Sequence, residues 1–272
     1  MLSGLRRLAQ TLRHAPGLRS CEWLWSVLRY PYTRVLERFG RQRGIGVVVG
    51  GYAMQLGTLF ASQNWETLEE IAYRTFAERV HSGDVVYDIG AHIGTYTLIA
   101  LQRSAPKGRV VAYEPHEPTR RHLERHLAWN GGAGRVVIRP VCCGPQEGQT
   151  EFYYREGDDC AEGMNGRVAV DGFVTKAVPM VSLDQEAVRL GLVPDLIKID
   201  VEGGEWDVLR GAEELLRGHQ PDLVLSLHPR ALARLNAAPY EVLSWLQERG
   251  YLTRVLSEDH EIHVLATAER KR

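Results

Sequence analysis

From residue 85 onward, short apolar runs alternate with stretches of helical periodicity. Val85-Val86-Tyr87-Asp88-Ile89 is a β-branched run that ends in a glycine turn, and Thr95 to Gln102 then places apolar residues at helical spacing. The pattern predicts a strand, a tight loop and a helix. It repeats with a strand at Arg109 to Tyr113, a helix over Pro118 to Trp129 with Leu123 and Leu127 on one face, and a third strand at Val136-Val137-Ile138. Two more apolar strands, Leu196 to Ile199 and Leu223 to Leu227, flank a helix predicted over Trp206 to Leu216. Leu252 to Leu256 and Ile262 to Ala266 lie either side of the polar turn Ser257-Glu258-Asp259-His260. Strands that alternate with helices through short connections form parallel sheets covered on both faces, whereas a pair joined this tightly is antiparallel. The expected fold is therefore α/β, a doubly wound, mostly parallel sheet with one reversed strand.

Residues 1 to about 82 read as mostly helical, with Trp23, Trp25, Leu28 and Tyr30 as packing residues and glycine-rich turns around Gly44 to Gly51. Leu5, Leu8 and Leu12 recur at helical spacing opposite Arg6, Arg7 and Arg13, so this segment can dock on its own domain, on a second subunit in a homodimer, or on a membrane surface. Residues 156 to 177 break the rhythm with Gly157, Asp158, Asp159, Gly163, Asn165, Gly166, Asp171 and Gly172. An excursion of this kind is either a substrate-covering loop or a passive surface insertion.

Composition removes several function classes. With 33 basic and 34 acidic residues the formal net charge is -1, which gives no general attraction for a nucleic-acid backbone. No apolar stretch is long enough to cross a bilayer, and basic residues interrupt every candidate leader peptide at the N-terminus. Cys21, Cys142, Cys143 and Cys160 lack the paired spacing of a zinc site and the density of a disulfide scaffold, so reduced thiols and a cytoplasmic setting are expected.

The chemistry-bearing residues fall at the ends of the predicted strands. Asp88-Ile89-Gly90-Ala91-His92-Ile93-Gly94 links the first strand to its helix, where open α/β sheets bind ligands. Twenty residues after Gly94, Glu114 ends the second strand, where a carboxylate can accept both hydroxyls of an adenosine ribose. Nicotinamide cofactors and S-adenosylmethionine share that adenosine. A dinucleotide site needs a second glycine beside the pyrophosphate, yet His92 stands there, and the Asp88 carboxylate would repel phosphate while suiting the ammonium of a methionine moiety. S-adenosylmethionine is the expected cofactor, held by Asp88, Gly90, Ala91, His92, Gly94 and Glu114. Cys142 follows the third strand, where it either meets an adenine ring or packs. His92 reads as a residue that starts the helix with local hydrogen bonds.

At the end of the fourth strand, Lys198 and Asp200 are polar groups in an apolar run, costly unless paired or used, so Asp200 is expected to contact cofactor or substrate. Glu202 and Glu205 follow, with either a functional or a helix-dipole role. His228 ends the fifth strand, where a neutral imidazole can take a hydroxyl proton or join Asp200 and Glu202 around a divalent metal ion. No metal is assigned. The expected catalytic set is Asp200, Glu202 and His228.

At these residues the chain resembles the FkbM family of methyltransferases from about Trp65 to Leu265. The matching pieces are Gly83 to Thr97, Tyr113-Glu114-Pro115, Val181-Ser182-Leu183-Asp184, and Ile197-Lys198-Ile199-Asp200-Val201-Glu202-Gly203-Gly204-Glu205. The family pattern usually has Asn where His92 stands. The resemblance implies a Rossmann-like class I fold over residues 65–272 behind an N-terminal extension of residues 1–64. It also implies S-adenosylmethionine-dependent O-methylation of a hydroxyl on a natural product or sugar, with Asp88, Gly90, Gly94 and Glu114 in the cofactor motif. A nicotinamide-dependent oxidoreductase and a non-catalytic cofactor-binding module are the rival readings.

Overall fold

The computed structural model describes residues 43–60, 63, 65, 69–132, 134–155 and 172–268. Its centre is a seven-stranded sheet, built from the strands the apolar runs predict. These are β3 (Val85–Ile89), β4 (Arg109–Tyr113), β5 (Val136–Arg139), β9 (Leu196–Ile199), β10 (Asp222–Leu227), β11 (Tyr251–Glu258) and β12 (Ile262–Ala268). Their order is β11-β12-β10-β9-β3-β4-β5. β3, β4, β5, β9 and β10 run parallel, and β12 is antiparallel to both neighbours, so one strand is reversed as expected.

Strand alternation divides the apolar side chains between two cores, one on each face of the sheet. Val86, Val110, Ala112, Leu196 and Val224 point into one. Tyr87, Ile89, Val111, Tyr113, Ile197, Ile199, Leu223 and Leu225 point into the other. Because both faces are covered, the central strands are apolar nearly throughout, and Asp88, Lys198 and Ser226 are polar residues in their carboxyl-terminal halves. Helices α1 (Glu70–Arg79), α2 (Thr95–Arg103) and α3 (Glu117–Trp129) precede or follow the first strands, and α4 (Leu183–Leu190) leads into β9.

The N-terminal reading needs correction within the described residues. Gly44 to Gly51 is not a run of turns, because β1 (Ile45–Val49) and β2 (Tyr52–Leu56) pair as an antiparallel hairpin. The Gly50-Gly51 corner has positive φ at both residues, the geometry that joins two strands without splaying them. Val47, Val49, Met54 and Leu56 enter the same core as Val86 and Leu98, and Gln55 exchanges backbone hydrogen bonds with the Asn130 side chain at the end of α3, so the hairpin joins the main fold against its helices. The helices expected before residue 43, with Leu5, Leu8, Leu12, Trp23 and Trp25, lie outside the described residues, as do Cys21 and Cys160.

Two other expectations change. The helix predicted over 206–216 is two short ones, α5 (Glu205–Arg210) and α6 (Glu213–Gly218). They part where Gly211 lies against the Gly144 backbone, so close that a Cβ would stand 2.0 Å from its carbonyl oxygen. Within the 156–177 excursion, Val174–Ala177 begins the long strand β8 (Val174–Val181), which joins β6 (Cys142–Cys143) and β7 (Gly148–Tyr154) in a three-stranded sheet. Residues 156–171 lie outside the described residues. Ser182 caps α4 by accepting from the Gln185 amide at 3.3 Å, and Asp184 accepts from the Glu214 and Leu215 amides at 3.1 and 2.9 Å. The Val181–Asp184 motif is thus a fastener between α4 and α6. Helices α7 (Pro229–Arg234) and α8 (Pro239–Glu248) complete the fold, and no helix among the described residues is long and apolar enough to cross a membrane.

Candidate active site

A cavity of about 550 Å³ opens at the carboxyl ends of β3, β4, β9 and β10. At one end is the loop after β3. Gly90 adopts φ +76°, and a Cβ there would stand 1.8 Å from the Asp200 carbonyl oxygen, so this position accepts glycine alone. His92 is also left-handed at φ +51°, a region in which His, like Asn, is tolerated better than most side chains. Its backbone N–H donates to Glu114 Oε2 at 2.9 Å, and the His116 N–H donates to Glu114 Oε1 at 2.8 Å. Burial pushes the Glu114 carboxyl up to about 7, against the two N–H donors that favour its charge. Each carboxylate oxygen keeps a lone pair for a further donor, so Glu114 can still accept from a diol. Burial drives the His92 ring to about 4, which keeps it neutral.

Beneath the loop, Lys198 on β9 ties the strand ends together. Its ammonium donates to the Gly90 carbonyl at 3.0 Å and lies 3.6 Å from Asp88 Oδ1 and 3.4 Å from Asp200 Oδ2. Burial disfavours that charge, but Asp200, Asp88 and Glu69 outweigh it and keep the amine protonated. For Asp200 burial likewise opposes ionisation, and Lys198 and His228 hold its carboxyl below the usual value.

At the other end four carboxylates surround one imidazole. His228 Nδ1–H donates to Glu205 Oε1 at 2.8 Å, and Glu205 Oε1 also accepts from the Gly203 amide at 2.9 Å. His228 Nε2 lies 3.3 Å from Glu261 Oε2, 3.4 Å from Glu202 Oε2 and 3.8 Å from Asp200 Oδ1. Burial pushes the Glu202 and Glu261 carboxyls up, and neighbouring Asp200 adds to the effect. Glu69, which accepts from the Tyr96 hydroxyl at 2.9 Å, closes the wall together with Tyr73 and Tyr96.

The family model for the methyltransferase FkbM domain matches residues 88–253, from the last residues of β3 to the first residues of β11. The chain belongs to the FkbM methyltransferase family. Among its relatives, hexuronic acid methyltransferase AglP of Haloferax volcanii is 28% identical over 175 residues, which cover 62% of this chain and 68% of AglP. The AMB antimetabolite synthetase AmbE of Pseudomonas aeruginosa is 27% identical over 220 residues, 64% of this chain but 10% of the synthetase. The crystal structure of an FkbM methyltransferase from Methylobacillus flagellatus matches with a TM-score of 0.50 at 14% identity, covering 88% of this chain and 59% of that one. That likeness is one of fold.

In this FkbM methyltransferase Gly90, Ala91, His92, Glu114, Cys142, Asp200, Glu202 and His228 all line the cavity. Asp88 and Gly94 are not among the lining residues. Asp88 is fully buried, accepts from the Thr97 hydroxyl and faces Lys198, so it supports the loop from beneath and does not reach toward a ligand's ammonium. Gly94 precedes α2 and abuts Leu123. His228 also departs from expectation. Burial on its own favours a neutral ring, but the Glu205 hydrogen bond and the charges of Asp200, Glu205 and Glu202 prevail and raise it to about 10. Such a shift favours the protonated ring and counts against His228 as the base in the free site. Cys142 and Cys143 are buried and form no disulfide. Glu69 and Glu261 are lining residues that no sequence pattern marked, and Tyr96, inside the Gly83 to Thr97 motif, had no role assigned to it.

Proposed function

We propose that this chain transfers the methyl group of S-adenosylmethionine to a hydroxyl oxygen of a small molecule, a sugar or a natural product. One observation carries the reading: the diol-accepting Glu114 and the carboxylate-rich wall of Asp200, Glu202 and Glu261 open into a single cavity. Its volume suits a cofactor and the reacting end of an acceptor.

The loop favours this cofactor over a dinucleotide. The amides of Gly90 and Ala91 donate to the Tyr113 carbonyl, that of His92 to Glu114 and that of Gly94 to the Ala91 carbonyl. A pyrophosphate needs amides aimed outward, and these four are committed inward. Glu114 fits the ribose diol, and the turn at Gly90 to His92 fits a phosphate-free tail. Bound there, S-adenosylmethionine supplies an electrophilic methyl group on a positively charged sulfur.

The chain's own residues then have separable tasks. Glu114 and the loop orient the cofactor, and Tyr73, Tyr96 and Cys142 exclude water, so that two reactants held in near-attack geometry account for most of the acceleration. Glu202 faces the cavity and takes the acceptor's proton, while Asp200 stays engaged with Lys198. The names of the relatives support the acceptor class, since one is a hexuronic acid methyltransferase and another an antimetabolite synthetase.

Thermal denaturation with S-adenosylhomocysteine and with NAD tests the reading. At 100 times its dissociation constant, the first should stabilise the fold by about 2.7 kcal/mol while NAD leaves the midpoint unchanged. Stabilisation by NAD alone would overturn the proposal in favour of an oxidoreductase.

A further inference from the structure

We infer that Asp200, His228 and Glu261 form a binding site for a divalent transition-metal cation such as Mn²⁺ or Zn²⁺. One donor atom from each of the three lies within 4.8 Å of the other two. They come from separate places in the chain, Asp200 after β9, His228 after β10 and Glu261 from the turn between β11 and β12, and the sheet order brings those ends side by side.

The spacing fits a shared ion. Two donors each about 2.1 Å from one cation and at 90–110° to one another stand about 3.0–3.4 Å apart. Nε2 of His228 is 3.3 Å from Glu261 Oε2 and 3.8 Å from Asp200 Oδ1, within a few tenths of an ångström of that separation.

The imidazole is also held as a metal ligand is held. Its Nδ1–H is fastened to Glu205, a side chain with no exposure, which leaves Nε2 directed at the carboxylates. A carboxylate behind a ligating histidine sets the ring's orientation and its tautomer. The cation takes the place of the Nε2 proton that those carboxylates otherwise share.

A separate observation marks a missing positive charge. Glu205 Oε2, on the carboxylate that holds the His228 ring, is buried and has no hydrogen-bond partner. Four carboxylates, those of Asp200, Glu202, Glu205 and Glu261, surround a single imidazole, and Lys198 is shared with Asp88. Glu205 and Glu261 are buried and Asp200 and Glu202 partly so, and carboxylates crowded in this way gain from a counter-ion. One nitrogen among the donors favours Mn²⁺ or Zn²⁺ over Mg²⁺, which prefers oxygen alone. A second trio, Asp259, His260 and Glu261, shares Glu261, but its Asp and His side chains are 62% and 77% exposed.

The test is calorimetric titration of the EDTA-treated full chain with MnCl₂, together with an anomalous difference map from crystals soaked in MnCl₂. The inference predicts one saturable site per chain and an anomalous peak between His228 Nε2, Asp200 and Glu261. It also predicts binding at least tenfold weaker in His228→Gln and in Glu261→Gln, each checked for native circular dichroism, and unchanged in Glu117→Gln on the distant helix α3. Absence of saturable binding, a peak elsewhere, full affinity in both site variants, or loss in Asp259→Asn with His228→Gln unaffected would each overturn it. The unmodified protein's anomalous map decides the matter if either variant fails to fold.

Discussion

Replacing Glu114 with glutamine keeps the shape of the cavity floor but removes its charge and one of its acceptors. In the native chain Oε1 and Oε2 accept from the His116 and His92 amides at 2.8 and 2.9 Å. Glutamine satisfies one of these donors and turns an NH₂ toward the other, which leaves a buried N–H unpaired at a cost of about 1–3 kcal/mol. The same substitution relieves the buried charge. A carboxyl raised from 4.5 to about 7 is destabilised in its ionised form by about 3 kcal/mol, so the two effects roughly offset and the fold survives. Ligand binding gains no such relief. One of the two ribose hydroxyls loses a charged acceptor worth about 1.5–3 kcal/mol, which weakens S-adenosylhomocysteine on the order of 10- to 100-fold. Isothermal titration at pH 8, alongside circular dichroism to confirm the fold, measures both. Affinity within twofold of the unsubstituted chain in a folded Glu114→Gln protein refutes the assignment of Glu114 to the ribose.

Other consequences follow from the same geometry. Because the ionised form of Glu114 is the one that accepts both hydroxyls, affinity for S-adenosylhomocysteine should fall about tenfold between pH 8 and pH 6 as the carboxyl takes up its proton near 7, and Glu114→Gln should flatten that dependence. The free fold responds with the opposite sign, because a raised carboxyl contributes stability that is full below 4.5 and lost as pH rises through about 7; affinity that improves on acidification contradicts this. Lys198→Met strips the cation from Asp88 and Asp200 and should cost about 3–5 kcal/mol in urea denaturation, with less than 1 kcal/mol counting against the role of Lys198 as the tie beneath the loop. Arg139 grips the fully buried Glu186 through two bonds of 2.7 and 3.0 Å, and Arg189 retains one at 2.8 Å, so Arg139→Ala should cost about 2–3 kcal/mol. Calorimetric melting should show that loss with ligand affinity unchanged; a weaker cofactor complex would mean that β5 shapes the site.

The main sheet was legible because each central strand is covered on both faces and must be apolar nearly throughout. Val85–Ile89, Arg109–Tyr113 and Leu196–Ile199 stand out from their surroundings for that reason. The β1–β2 hairpin was missed because Gly50 and Gly51 read as generic turn formers, and only the pairing of Ile45–Val49 with Tyr52–Leu56 and their burial in the shared core show that the flanking residues are strands. Gly211 interrupts the 206–216 helix through contact with Gly144, residues remote in sequence, so no local periodicity records it. Candidate site residues at strand ends were legible wherever a polar group interrupted an apolar run, as at Glu114, Asp200 and His228. Glu261 escaped because it sits in a turn that is polar on any reading, and it joins the site only because β12 reverses beside β10. The upward shift at His228 was invisible for the same reason: four carboxylates converge on it from two separate segments, residues 200–205 and the turn at Glu261.

The most direct measurement is a crystal structure of the full chain grown with S-adenosylhomocysteine. The account predicts the ribose hydroxyls within hydrogen-bond reach of Glu114, the amino-acid tail along Gly90 to His92, and the sulfur turned toward Asp200, Glu202 and His228. Density for the ligand anywhere else, or a cavity closed by the chain's own side chains, would contradict it.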